Sequence, residues 1–306
     1  MQMRAVFMIF LMATATLQAQ EVRETRTRRI KLPDDGISFV SAVSPDGKKI
    51  LVSGPNYKGI FITGRRGGKV TRISDAPGAG YEPRFSEDGR YLFFREDEFP
   101  DQKKVSSLIQ YDMTTGSRKV IAARVSDLAA PAFSGDKMHY RSGGKMNTVK
   151  LDNASLKSAG SDIFVISEEL TPVVYINGEG KPVKPNGDGS YIWASLSPDR
   201  SKLLYYFAGQ GTFVSDLEGK ILFSPGKISA PRWLSDQIVI GMDDRDDGYR
   251  VTGSEIVCFS LSSGKRISLT STTERAEMYP MPLPDGKNVV FQTPEGEIFI
   301  MTLKVK

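Results

Sequence analysis

Few residues in this chain could carry chemistry by themselves. Its 306 residues include one histidine, His139, and one cysteine, Cys258. A Ser-His-Asp relay or a His-rich metal centre needs several separate side chains, so a single imidazole narrows both. No Gly-x-Ser-x-Gly turn offers a nucleophile, and no phosphate-cradling glycine loop opens a helix. Cys258 stands inside Ile256-Val257-Cys258-Phe259 and reads as a small apolar strand residue. His139, in Met138-His139-Tyr140-Arg141, reads as a satisfied structural residue. The densest cluster of possible ligands is Asp243-Asp244-Arg245-Asp246-Asp247-Gly248. Oxygen ligands suit Ca²⁺, and Asp244 and Asp246 are the candidate ligands. The stretch is not an EF-hand. Placing Gly248 at the invariant glycine puts Arg245 at a ligand position and Ser254 where the bidentate Glu belongs. The other reading is a solvated loop whose carboxylates cap turns and pair with Arg245 and Arg250.

The elements that would position any site come from a repeated phrase. Ser44-Pro45-Asp46-Gly47-Lys48 recurs as Ser86-Glu87-Asp88-Gly89-Arg90, Ser197-Pro198-Asp199-Arg200-Ser201 and Leu283-Pro284-Asp285-Gly286-Lys287. Pro fixes φ for the first central position of a type I turn, Asp suits the second, and Gly tolerates the left-handed residue that follows. An apolar strand follows each copy. A Pro-containing strand often precedes it, as in Glu82-Pro83-Arg84-Phe85 and Tyr279-Pro280-Met281-Pro282. Strand repeats with a period of about forty residues predict the blades of a β-propeller. The phrase erodes between Asp127 and Gly187, a stretch long for one blade and short for two. The prediction is an all-β ring of six four-stranded blades, or seven if that stretch forms two. The last blade offers three strands before the chain ends. The Thr/Arg-rich segment Val22–Pro33 is expected to supply its fourth and close the ring.

Residues 1–19 read as a secretory signal peptide: Arg4, a short apolar run from Ala5 to Ala13, then small residues up to Ala19. Residues 20–306 read as a single propeller domain. The net charge of +5 is modest and spread along the chain, which suits an anionic partner and does not make a nucleic-acid footprint. No later stretch is long and apolar enough to span a bilayer.

The repeated phrase, with an aromatic or polar residue and Pro ahead of it, resembles TolB-type β-propellers over most of the chain after Ser38. The N-terminal α/β domain of TolB has no counterpart here. The resemblance implies an exported, non-catalytic module that binds or scaffolds a protein partner in the periplasm or outside the cell, as a monomer or within an envelope assembly. The alternative is a propeller-fold enzyme acting on envelope or extracellular glycans, which would show paired carboxylates in a cleft. The first residues of each innermost strand lie near one mouth of the channel. Tyr81, Glu82, Arg232, Glu277 and Tyr279 are therefore the expected partner contacts, being rich in the residue types that carry interface energy. Trp193 and Trp233 are expected to pack between blades.

Overall fold

The repeated phrase closes the same turn each time. In a computed structural model, Ser44 Oγ donates to Asp46 Oδ1 (2.6 Å), Asp46 Oδ1 accepts the Lys48 N–H (3.0 Å), and the Gly47 N–H donates to the Ser44 carbonyl (2.8 Å). The copies at Ser86 and Ser197 repeat this set. Gly47 has φ 66°, the left-handed region that glycine enters at no steric cost. In the copy at Ser197 that position is held by Arg200 at φ 58°.

The structure describes residues 22–33, 36, 39–152 and 161–305. The signal-peptide expectation lies outside them. Each turn joins an innermost strand to the next strand outward, and the described residues build seven antiparallel sheets arranged as a seven-bladed propeller. The innermost strands, from blade 1 to blade 7, are Phe39–Val43, Arg84–Phe85, Ala132–Ser134, Ile163–Glu168, Tyr191–Leu196, Ser229–Ser235 and Met278–Pro282. Five blades have four strands. Blades 3 and 4 have three each among the described residues. This corrects the six-blade expectation in favour of its alternative. The eroded stretch holds two blades, each with three strands among the described residues, so two fit where its length suggests more than one.

Closure follows the expected route. Val22–Ile30 pairs antiparallel with Ile298–Val305, from Val22 opposite Val305 to Ile30 opposite Ile298, and completes blade 7. That removes the open edge the last strand would otherwise present. Both ends of the closing strand are anchored in cores. Val22 joins the apolar cluster between blades 6 and 7, and Ile30 the cluster between blades 7 and 1. Similar clusters fill the seams between blades 1 and 2, 2 and 3, 4 and 5, and 5 and 6. Cys258 lies in the cluster between blades 6 and 7, and burial pushes its thiol up to about 12. It therefore serves as a packing residue.

The seam between blades 3 and 4 is built differently. His139 of blade 3 stacks on Phe164 of blade 4 with ring centroids 3.8 Å apart, and Phe164 stacks on Tyr175 at 4.8 Å. Both imidazole nitrogens are occupied: Nε2 lies 3.1 Å from Asp162 Oδ1, and Nδ1 lies 3.0 Å from Thr148 Oγ1. Lys137 Nζ donates to the other Asp162 oxygen at 2.9 Å. The lone histidine is thus a satisfied structural group, as its sequence context suggests.

Candidate binding site

A common register position gives the channel its wall. Ala42 pairs with Leu51, Arg84 with Phe93, Ala132 with His139, Ser195 with Leu204, Arg232 with Ile240 and Met281 with Val290. All six residues line the channel. Three are apolar, so the charged members stand out: Arg84 from blade 2 and Arg232 from blade 6, with the Ser195 hydroxyl of blade 5. The channel divides into two lobes of about 750 and 530 Å³. Tyr81, Glu82, Arg84, Trp193, Ser195 and Arg232 stand in the walls of both.

These groups are poorly compensated. Neither Arg84 nor Arg232 makes a hydrogen bond or ion pair with a described residue. Arg232 keeps some contact with channel water but sits deep between the walls. Burial, with repulsion from Arg84 next, lowers its guanidinium from the usual value to about 10, and attraction to Glu82 opposes the shift. The Ser195 hydroxyl is buried and makes no hydrogen bond with a described residue. Among the described residues Glu82 is the one carboxylate lining these lobes, so the channel does not bring together the paired acids of glycoside hydrolysis. Arg95, also in the wall, is engaged elsewhere: it lies over the Tyr81 ring, 4.7 Å from the centroid, and donates to the Leu128 carbonyl.

One end of the channel carries an aromatic mouth. Tyr57, Tyr81 and Tyr279 are each about 40% exposed (44%, 41% and 40%). Tyr57 meets Tyr81 edge-on at 5.2 Å and Phe39 at 5.9 Å, and lies close enough to Tyr279 to help raise its phenol pKa, behind the larger effect of burial. Their backbones are unusual. Tyr57, Glu82, Trp193, Ala230 and Tyr279 all have φ between 47° and 57°. Four of these occupy the same place in their blades, where the innermost strand begins. In blades 5, 6 and 7 the strand is bulged there. A bulge re-aims side chains at the end of a strand, and left-handed φ at residues other than glycine costs on the order of 1 kcal/mol each. That cost recurs at this rim in four blades; within the four copies of the repeat phrase it falls on Arg200 alone.

The opposite end is strapped. Arg200 of blade 5 pairs with Glu87 of blade 2, and its other nitrogen donates to Ser134 Oγ of blade 3 at 3.2 Å. Glu87 also accepts the Gly135 N–H. Blades 5 and 2 stand opposite one another in a ring of seven, so this contact crosses the channel at its turn end.

The structure sorts the expected contacts. Tyr81, Glu82, Arg232 and Tyr279 line the channel. Glu277 does not reach the surface. It is fully buried, its carboxylate taken by Thr272 Oγ1 (2.7 Å) and Arg275 (2.8 Å), and burial raises its pKa. The expected role for it is corrected, because one residue of offset along the strand turns it away from the channel. Asp244 and Asp246 lie in the strand Ile238–Asp246, not in a loop. Asp246 accepts the Gly248 N–H, Asp247 accepts those of Tyr249 and Arg250, and Asp243 pairs with Arg266. Among the described residues no group of three or more such side chains is placed to hold an ion. Both tryptophans pack against neighbouring blades, as expected: Trp233 in the seam between blades 5 and 6, and Trp193 of blade 5 against Ala230, Met242 and Met278 of blades 6 and 7. Trp193 also lines both channel lobes and meets Tyr206 edge-on at 5.6 Å, and Trp233 lines the smaller lobe. Sequence reasoning missed three wall or mouth residues. Arg84 and Ser195 were recoverable by aligning the blades on Arg232. Tyr57 lies in the connection Pro55–Tyr57, outside the repeat, and carries no motif.

No protein family model matches the sequence, and no curated protein matches it. Solved structures do. A chain of the mitotic checkpoint complex is 12% identical, with a TM-score of 0.59 over 99% of this chain and 98% of that one. An oligogalacturonate lyase in complex with manganese is 14% identical, with a TM-score of 0.52 over 93% of this chain and 96% of that one. At these identities the likeness is one of fold, and the fold this chain shares with both is the β-propeller.

Proposed function

We propose that this protein is a non-catalytic binding propeller that captures a protein partner at its aromatic mouth. The observation that carries the reading is the cluster of Tyr57, Tyr81 and Tyr279, half-exposed and gathered at one rim, where Tyr57, Tyr279 and the Glu82 that follows Tyr81 have left-handed backbone. Tyrosine buries large area and still hydrogen-bonds, so it is among the residues that most often dominate interface energy. The Ser-Pro-Asp-Gly phrase supports grouping the chain with TolB-type propellers, and the apolar N-terminal run supports export to the cell envelope. The test is capture from envelope extract by the full chain and by a Tyr57→Ala/Tyr279→Ala double variant. The expected result is at least about tenfold weaker capture, the equivalent of about 1.4 kcal/mol or more, with an unchanged melting temperature. Undiminished capture, or loss of capture together with melting, overturns the reading.

A further inference from the structure

Two guanidiniums line one open channel without a partner among the described residues. Arg84 and Arg232 hold the same register position in blades 2 and 6, and blades 1, 3, 5 and 7 fill that position with Ala42, Ala132, Ser195 and Met281. A ring that needed only packing there would use such residues throughout. Arg84 is exposed and Arg232 half-buried, and placing like charges against each other costs energy unless something neutralises them. Glu82 offsets part of this charge, which leaves an excess of one cation among these three groups, with Arg95 in the same wall engaged by the Tyr81 ring and the Leu128 carbonyl. The paired Arg200 does not contribute, since Glu87 already holds it. The same register position in blade 5 holds the Ser195 hydroxyl, buried and without an acceptor among the described residues. Guanidinium forks match the geometry of carboxylate and phosphate oxygens. Lobes of about 530 and 750 Å³ suit a small molecule.

We propose that Arg84, Arg232 and Ser195 form an oxyanion site inside the channel, which takes a small ligand bearing a carboxylate or a phosphate. Each guanidinium supplies paired N–H donors, a rotation of the buried Ser195 hydroxyl about its side-chain bond would add a third, and Trp193 supplies an apolar wall. This site lies in the channel wall and does not depend on the tyrosine mouth or on a protein partner.

The experiment uses the full chain at constant ionic strength, titrated with inorganic phosphate and, separately, with citrate, and followed by calorimetry and by melting temperature. At least one probe is expected to bind at millimolar concentration or below and to raise the melting temperature by mass action. Arg232→Met should bind that probe at least about tenfold more weakly. Without anion it should melt at or above the wild-type temperature, because the repulsion with Arg84 is gone. Arg84→Met should do the same. Ser195→Ala keeps both charges and should weaken binding by a factor of about three to ten. Binding of phosphate alone assigns the site to phosphate esters, binding of citrate alone to organic acids, and binding of both to oxyanions generally. The Tyr57→Ala/Tyr279→Ala variant should bind the probe as wild type does, so loss of partner capture and loss of anion binding are separate outcomes. The proposal is overturned if neither probe binds. It is also overturned if the arginine variants bind as wild type does, which would place the anion on the basic exterior. Failure of both arginine variants to fold would assign the guanidiniums to the scaffold and overturn it as well.

Discussion

Two seams of the ring show opposite ways of holding blades together. Between blades 6 and 7, Leu234, Ile238, Ile240, Ile256 and Cys258 meet Val289, Phe291, Phe299, Met301 and Leu303. Between blades 3 and 4, the join is His139 on Phe164 on Tyr175, with Asp162 bridging His139 and Lys137. The first seam depends on apolar area and changes little with pH. The second depends on rings and hydrogen bonds whose strength varies with protonation. The blades that meet at the polar seam are also the two with three strands among the described residues. The polar seam supplies with specific contacts what apolar area supplies elsewhere. The same difference explains why the Asp127–Gly187 stretch reads poorly as sequence. Its hydrophobic pattern is thin because its seam is not hydrophobic.

Three perturbations sharpen this contrast, taken from the largest effect to the smallest. Deleting Val22–Ile30 strikes the apolar side hardest, since the strand enters two clusters and covers the edge of blade 7. The loss should exceed about 5 kcal/mol, comparable with the whole stability of a domain. The truncated chain should then show no cooperative urea transition, and a transition at the wild-type midpoint would refute closure by this strand.

Phe291→Ala, within the apolar seam, should cost about 3–5 kcal/mol through lost transfer energy and a cavity. It should shift the urea midpoint equally at pH 5 and pH 8. A pH-dependent shift would show that this seam contains titrating groups.

His139 gives the smallest effect and the most diagnostic one. Burial holds its pKa below the ordinary value of 6.5, even though Asp162 favours the charged form. The unfolded chain therefore takes up a proton first as pH falls. The stability that neutral His139 contributes is complete above pH 6.5 and declines as pH falls below it toward the folded-state pKa. Asp162 is depressed below 3.8, so its own loss comes at lower pH and does not overlap. His139→Gln should cost about 1 kcal/mol at pH 8 from its lost hydrogen bonds and stacking. It should also flatten the decline between pH 6.5 and 5. An unchanged pH profile in the variant would remove His139 as its source.

Legibility followed chain locality. The Ser44–Asp46–Gly47 turn is settled by four adjacent residues, so its composition shows in sequence. The closing strand showed because Val22–Ile30 has β propensity and nothing local to pair with. The seventh blade showed only as an alternative, because the turn phrase is degraded at Ser134-Gly135-Asp136 and Asp127–Gly187 is long for one blade and short for two. Glu277 was misplaced because burial turns on a one-residue offset, and Thr272 and Arg275 satisfy its charge only in three dimensions. Tyr57 was invisible for the same reason: its partners Phe39 and Tyr81 are 18 and 24 residues away. Arg232 was chosen as an interface residue, and its register equivalence with Arg84 gives it a second setting that only ladder pairing reveals.

The Arg200–Glu87 strap has a topological consequence. A propeller open at both ends is a tunnel, through which an extended chain could be threaded and released on the far side. The ion pair drawn across the turn end divides that opening, so an extended chain threading the channel would have to break it in passing. Such a contact favours entry of a chain end, a loop tip or a small solute over the middle of a long polymer. A large partner seated on Tyr57, Tyr81 and Tyr279 would cover the other end, slowing escape by that route of anything already inside without touching it.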